Sequence, residues 1–353
     1  MVSPARALLP LLLLAACSPD HADARWELGQ RPGEARWGFF TLSARQGRVR
    51  TDEQGRTVVR AASPALELTL SAGAATGVAR FVVENVNPGS GVSPAPATRK
   101  QLSATSMELT YPIGAGTTTV RFAPPGSGPL HFAMISDIHD NTKTFARFVE
   151  LLHLSRPEMV LFTGDLTLSG QTDQFDLMFD RLPDLETPFY ATLGNHELMG
   201  SAADRFEERI GPGDVSFNVR GVQVMLLDSA GALIAPESYG WIAQQLSQRP
   251  DGPALVLTHI PPIDPAGTRD HAFSVREDAL HLLQVLSDGG VTHLFVGHIH
   301  TWATYSMRGI PVTLAGGGGG QMEGVEGIGH HYADVVVDPL APQVVTVKRV
   351  DLD

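Results

Sequence analysis

The sequence holds a single cysteine, Cys17, in 353 residues, which excludes a disulfide-stapled scaffold. It has only one long apolar run, at its N-terminus, which excludes a protein that crosses a bilayer many times. Positive charge is scarce and unevenly spread. Residues 17–129 carry 9 acidic and 12 basic side chains, a net +3, whereas residues 130–353 carry 29 acidic and 13 basic, a net −16. A segment at −16 has little with which to neutralise a row of phosphates, so extended nucleic acid is not an expected partner. What the chain does have is 43% apolar residues, too many for a disordered polymer and enough for the cores of two or three domains.

The N-terminus reads as an address. Ala7–Ala16 are ten apolar residues after Arg6. At ~1.5 Å per residue they fall far short of a ~30 Å hydrocarbon layer, as a signal peptide does. The run closes in Leu14-Ala15-Ala16-Cys17, which resembles a bacterial lipoprotein cleavage box. That resemblance implies removal of residues 1–16, acylation of Cys17 and a membrane anchor made of lipid, with residues 17–23 as a tether. Ser18 rather than Asp after the cysteine favours the outer membrane of the cell envelope. The alternative is an ordinary secretory signal with a chance cysteine.

Residues 24–125 read as a small all-β sandwich domain. Leu66–Leu70 and Met107–Tyr111 alternate apolar and polar, the pattern of half-buried strands. Thr57–Arg60, Val78–Val83 and Thr117–Phe122 are further β-rich runs. About seven strands are expected, and no helical period is evident. No cluster of histidines or carboxylates marks this part as chemical. Residues 126–129 are the linker, within the Pro/Gly-rich run 124–129 that can continue neither strand nor helix.

From residue 130 to 353 apolar runs alternate with helical faces, as in an α/β sheet covered by helices. The faces include Phe145, Phe148, Val149 and Leu152, and Leu280, Leu283 and Leu286. The late runs Ile310–Leu314, Tyr332–Val337 and Val344–Val350 come without helices and fit a mixed or second sheet.

Polar groups stand just beyond five of the apolar runs. They are Ser136-Asp137-Ile138-His139, Thr163-Gly164-Asp165, Gly194-Asn195-His196-Glu197, Thr258-His259 and Gly297-His298-Ile299-His300. The carboxyl edge of an open α/β sheet is where ligands bind. If the strands are neighbours, two Asp, one Asn and four His converge there, a costly burial unless cations join them. Imidazole and carboxylate are the donors that divalent metals take.

These five blocks resemble those of the calcineurin-like metallophosphoesterases, dinuclear-metal hydrolases. The resemblance covers residues 130–350 and implies a four-layer α/β/β/α sandwich. It implies one metal held by Asp137, His139, Asp165 and His300, and another by Asp165, Asn195, His259 and His298. The pair of manganese, iron or zinc ions would supply a bridging hydroxide for attack on a small phosphoester. His196 would contact the phosphate and assist the leaving oxygen as a general acid. Glu197 either orients that imidazole or is a solvated loop glutamate. Asp228, which also ends an apolar run, is a candidate supporting group. The N-terminal β-domain is similar to that of purple acid phosphatases. Those proteins, however, have Gly where His139 stands and Tyr at the place of Leu168, so no tyrosinate–iron absorption band is expected. The ligand set looks more like that of bacterial phosphodiesterases. A phosphomonoesterase, or a non-catalytic envelope lipoprotein for binding or adhesion, are the other readings.

Outside the five blocks the signals are weaker. Gly316–Gly320 reads as a flexible turn beside the metals or a wall on the substrate side. It is no nucleotide loop, lacking the Gly-Lys-Ser/Thr sequel. His330 and His331 are candidates for substrate contact, while His153, His281 and His293 have core or surface roles. Pro261-Pro262 fixes the loop after His259.

Overall fold

The computed structural model describes residues 19–200, 202–265, 267, 271–325, 327–338, 340–341 and 345–353. The expected signal peptide 1–16 and the expected lipidation site Cys17 lie outside them. No described helix is long and apolar enough to cross a membrane.

The first element differs from expectation: Pro19–Gln30 is a helix, where a tether to residue 23 and then strands were expected. Its apolar contribution is small. Ala22 and Trp26, one turn apart, are buried, and Trp26 packs on Trp241 with ring centroids 5.1 Å apart. Two residues do not make a readable stripe, so packing against the second domain, rather than periodicity, stabilises this helix.

Gly33–Ala123 forms the β-sandwich, with ten strands among the described residues. One sheet runs Gly33–Trp37, Phe40–Arg45, Glu67–Gly73, Gly116–Ala123, Gly91–Ser93. The other runs Gly47–Thr51, Thr57–Ala61, Gly77–Glu84, Ser106–Ile113, Thr98–Ser103. Leu42, Leu68, Leu70, Phe81, Leu109 and Val120 meet between them. Ten strands rather than about seven were hard to foresee because the edges carry no alternation. Thr98–Ser103 is exposed throughout, and Arg99 and Lys100 on it are the kind of charge that keeps an edge strand from pairing further.

The second domain has two sheets with helices outside each. In the first sheet Phe189–Ala191, Met159–Phe162 and Leu130–Ile135 are parallel. His331–Val337 and Val345–Asp351 continue it antiparallel. The second sheet runs Val215–Val219, Val222–Leu227, Ala254–Thr258, His293–Val296, Ile310–Ala315, Trp302–Met307. Phe132, Leu161, Leu226, Leu257 and Phe295 pack between the sheets. Phe145, Phe148, Phe175 and Phe206 bring helices Thr142–Ser155, Thr172–Arg181 and Ala202–Arg209 onto the outer face of the first. Ile242, Leu282 and Leu286 bring Ser238–Gln248 and Arg276–Asp288 onto the second. This is the expected α/β/β/α order. One expected face is rotated: on Arg276–Asp288 the buried residues are Ala279, Leu282, Leu283 and Leu286, while Leu280 is exposed. Spacing alone allowed either choice, since 280, 283 and 286 are also three apart.

The two domains are joined through Asn85, which is buried with a left-handed φ of 62°. Its amide donates to the carbonyls of Ala61 (2.7 Å) and Phe189 (2.8 Å) and accepts from the Phe189 amide (2.7 Å). Phe189 begins the strand that leads to Asn195 and His196.

Candidate metal centre

The strands that carry the five blocks end at the same level. Ile135 pairs with Phe162, Phe162 with Ala191, and Thr258 with Val296 in the other sheet. Asp137, Asp165 and Asn195 therefore leave one sheet where His259, His298 and His300 leave the other. Hydrogen bonds tie the two tips together. The Asp137 carboxylate accepts from the His298 amide (2.9 Å), and His259 Nδ1 lies 2.9 Å from the Thr163 carbonyl.

The donor atoms form overlapping groups. Asp137, His139 and His300 place one ligand atom each within 4.8 Å of one another; so do Asp165, His259 and His298, and so do His139, Asp165 and His196. Asp165 sits where they meet. Its Oδ2 is 3.3 Å from both His139 Nε2 and His259 Nε2, and 3.7 Å from His196 Nε2. Asn195 Oδ1 is 3.0 Å from His259 Nε2. All seven residues expected as ligands thus converge, with His196 beside them.

The chemistry of this donor set fits cations. Asp137 Oδ1 is buried with no hydrogen-bond partner among the described residues, although His300 Nε2 is only 3.3 Å away. The other ring nitrogen of His300 faces the Gln321 carbonyl at 2.7 Å. With Nδ1 held by a backbone carbonyl, His259 and His300 turn Nε2 toward the cluster, where a metal can take the place of its proton. Four of the seven residues also hold left-handed backbone: Asp137 (φ 58°), His139 (51°), Asp165 (60°) and His298 (69°). Non-glycine residues pay about 1–3 kcal/mol for such conformations, which collect at working sites.

Electrostatics bind the cluster into one unit. Burial pushes the Asp137 and Asp165 carboxyls up, yet the facing imidazoles outweigh it. Asp137 settles at about 2, and Asp165 well below the usual carboxylate range. Burial pulls His259 and His300 down, but Asp165 and Asp137 raise each to about 9. Burial and His259 lower His298 to about 3. An imidazole raised in the fold gives stability that is complete below its ordinary value near 6.5 and is lost as pH climbs through about 9. Metal-free protein is therefore expected to melt at progressively lower temperature from pH 6.5 to 9. Saturating manganese or zinc, which takes the place of those protons, should largely remove the decline. A flat profile for the metal-free protein in thermal scans would show that the carboxylates do not hold these imidazoles.

Glu197 corrects both readings made of it. It neither touches the His196 ring nor faces solvent. It is buried, and its carboxylate accepts from the backbone amides of Gly194 (2.9 Å), Asp165 (2.8 Å), Leu166 (2.9 Å) and Thr167 (3.2 Å). It clamps the Asp165 loop to the Asn195 loop. The His196 ring faces the Leu168 carbonyl with its Nδ1 and the Asp165 carboxylate with its Nε2. Asp228 pairs with Arg25 of the N-terminal helix at 2.6 Å, and so fastens that helix rather than the cluster.

Gly316–Gly320 is no flexible turn. A Cβ on Gly318 would lie 2.2 Å from the Ser136 carbonyl oxygen, and one on Gly320 2.5 Å from the His300 ring. The run presses its backbone against the site, with Gly318 and Gly320 amides donating to the Ser136 and Asp137 carbonyls at 2.9 Å. His330 binds Asp353 and the Gly320 carbonyl. His331 is buried beneath Gly317, and His293 faces Thr313 at 2.9 Å. The sequence reading missed His271, whose ring lies 5.0 Å from that of His298. It follows no strand tip and so gave no signal.

Two sheets whose tips bring carboxylates and imidazoles together make a site whose donors fit metal ions. The chain belongs to the calcineurin-like phosphoesterase family, whose model matches residues 130–302. It is 31% identical over 219 residues to a cAMP/cGMP dual specificity phosphodiesterase of Mycobacterium tuberculosis, covering 53% of this chain and 67% of that one. A probable cyclic nucleotide phosphodiesterase of Rhodococcus erythropolis is 26% identical over 264 residues, 63% of this chain and 85% of the relative. Among solved structures, a purple acid phosphatase from yellow lupin shares the fold with a TM-score of 0.51 at 12% identity. That likeness covers 82% of this chain and 70% of the other. The protein is a phosphoester hydrolase that uses divalent metal.

Proposed function

We propose that residues 130–353 hydrolyse phosphodiesters, cyclic nucleotides among them, with two cations held side by side. The reading rests on Asp165, whose side chain groups with His139 and His196 on one side and with His259 and His298 on the other, His139 in turn grouping with Asp137 and His300. Asp137, His139, Asp165 and His300 would hold one cation, and Asp165, Asn195, His259 and His298 the other. When bound, such cations neutralise phosphoryl oxygens and lower the pKa of a coordinated water.

The protein's own groups do the rest. His196 stands at the mouth, its amide fixed by the Asp165 carboxylate at 2.9 Å. With Nδ1–H directed at the Leu168 carbonyl, its Nε2 is left to hand a proton to the leaving oxygen. The same carbonyl keeps the neutral ring in one tautomer afterwards. Among the described residues no lysine or arginine pairs with Asp137 or Asp165. A cation-poor site suits a singly charged diester better than a doubly charged monoester, and the named activities of the two relatives support the same choice. In a panel of cyclic nucleotides, glycerophosphodiesters and an aryl monoester with manganese, zinc and iron, diesters should lead in kcat/KM by tenfold or more; monoester preference overturns the diester reading. His196→Ala should lower kcat by about 10²–10⁴-fold without changing metal content. An unchanged kcat would remove it from the reaction.

We infer further that residues 1–16 are removed and that lipid on Cys17 anchors the enzyme in the envelope, at the outer membrane. The cleavage box and its only cysteine support this. Labelled fatty acid should enter the wild type and not Cys17→Ser; equal labelling of both refutes it.

A further inference from the structure

Between the β-sandwich and the catalytic domain lies a cavity of about 220 Å³ that the reaction does not use. That is more than ten times the ~15 Å³ a single water needs. Its charged lining is Arg50, Arg60 and Glu84 from the sandwich and Arg209 from the catalytic domain, three cations against one anion.

One carboxylate does not satisfy three guanidinium groups. Glu84 turns both oxygens to Arg50 Nη2, at 2.9 and 3.0 Å. It stands 4.0 Å from Arg60 Nη1, beyond hydrogen-bond reach. Arg50 Nη1 and Arg60 Nε are buried with no hydrogen-bond partner among the described residues. Arg209 lies over the Phe179 ring at 4.5 Å, and its carboxylate neighbour Asp176 is 3.9 Å away. Ser103 and Ser106 add hydroxyls to the same wall, 2.7 Å apart. Burial, with Arg50 and Arg209 nearby, holds the Arg60 guanidinium below its usual range despite Glu84. Buried donors without acceptors are costly, and a tetrahedral oxyanion is the acceptor that arginine forks and hydroxyls fit together.

We propose that this interdomain cavity binds a phosphate group, free or carried on a small molecule, through Arg50, Arg60 and Arg209. Phe189 also lines it, so an occupant would bridge the sandwich and the strand that leads to Asn195 and His196.

The test is calorimetric titration of orthophosphate, and separately of glycerol 3-phosphate, into the full chain stripped of metal by a chelator. One site per chain is expected, weakening as salt rises. Tighter glycerol phosphate identifies a carried phosphate, and tighter orthophosphate a free one. Arg60→Met should weaken binding by tenfold or more and leave metal-dependent turnover within twofold of wild type. Should Arg60→Met fail to fold, Thr105→Glu, which sets a carboxylate in the cavity wall, is expected to give the same loss. The proposal is overturned by no binding to metal-free protein, or by wild-type affinity in folded Arg60→Met or Thr105→Glu. It is overturned equally by binding that needs metal and vanishes in Asp165→Asn, which would place the phosphate at the metal centre.

Discussion

Asp165→Asn is expected to abolish phosphodiester hydrolysis, by about 10³-fold or more, since metal-borne charge stabilisation is worth several kcal/mol and each 1.36 kcal/mol is tenfold. The substitution keeps the shape of the side chain and removes its charge. Three imidazoles face the lost oxygen within 3.7 Å, and an amide nitrogen there would point a donor at them. Both proposed ligand groups lose a member at once, so bound metal should fall along with turnover. Turnover within tenfold of wild type, measured with manganese in excess, would show that no shared ligand exists.

Glu197→Ala is expected to unfold the site and threaten the whole domain. Four backbone amides end on this one buried carboxylate. At ~1–3 kcal/mol for each stranded donor the loss is about 4 kcal/mol or more, a large part of the ~5–15 kcal/mol that a domain has. Denaturant titration should show the drop, and metal affinity should fall with it, because the clamped loops carry Asp165 and Asn195. The reading in which Glu197 orients His196 makes another prediction: near-normal stability and metal content with an altered pH–rate profile. That outcome would contradict the clamp.

The convergence of these side chains was legible in the sequence because each block is local. A strand ends, a polar tip follows, and five tips in one chain admit few arrangements. The sheet edge then brings together residues 163 positions apart, Asp137 to His300, with no further information needed. Glu197 was illegible for the opposite reason. It neighbours His196 in sequence, but its partners, Asp165 to Thr167, lie some 30 positions earlier, and only the fold sets them beside it. The glycine run failed similarly: composition suggested freedom, while its neighbours show that no side chain has room. The helix Pro19–Gln30 depends on Trp241 and Asp228, more than 200 positions away. Local chemistry survives in a sequence; packing between distant elements does not.

The account's central claim is a pair of cations in one pocket, and anomalous diffraction from crystals grown with manganese tests it most directly. Two peaks about 3.5–4 Å apart, with the Asp165 carboxylate between them and Asp137 and His298 on opposite sides, are the predicted result. A single peak, or manganese bound away from Asp165, would contradict it.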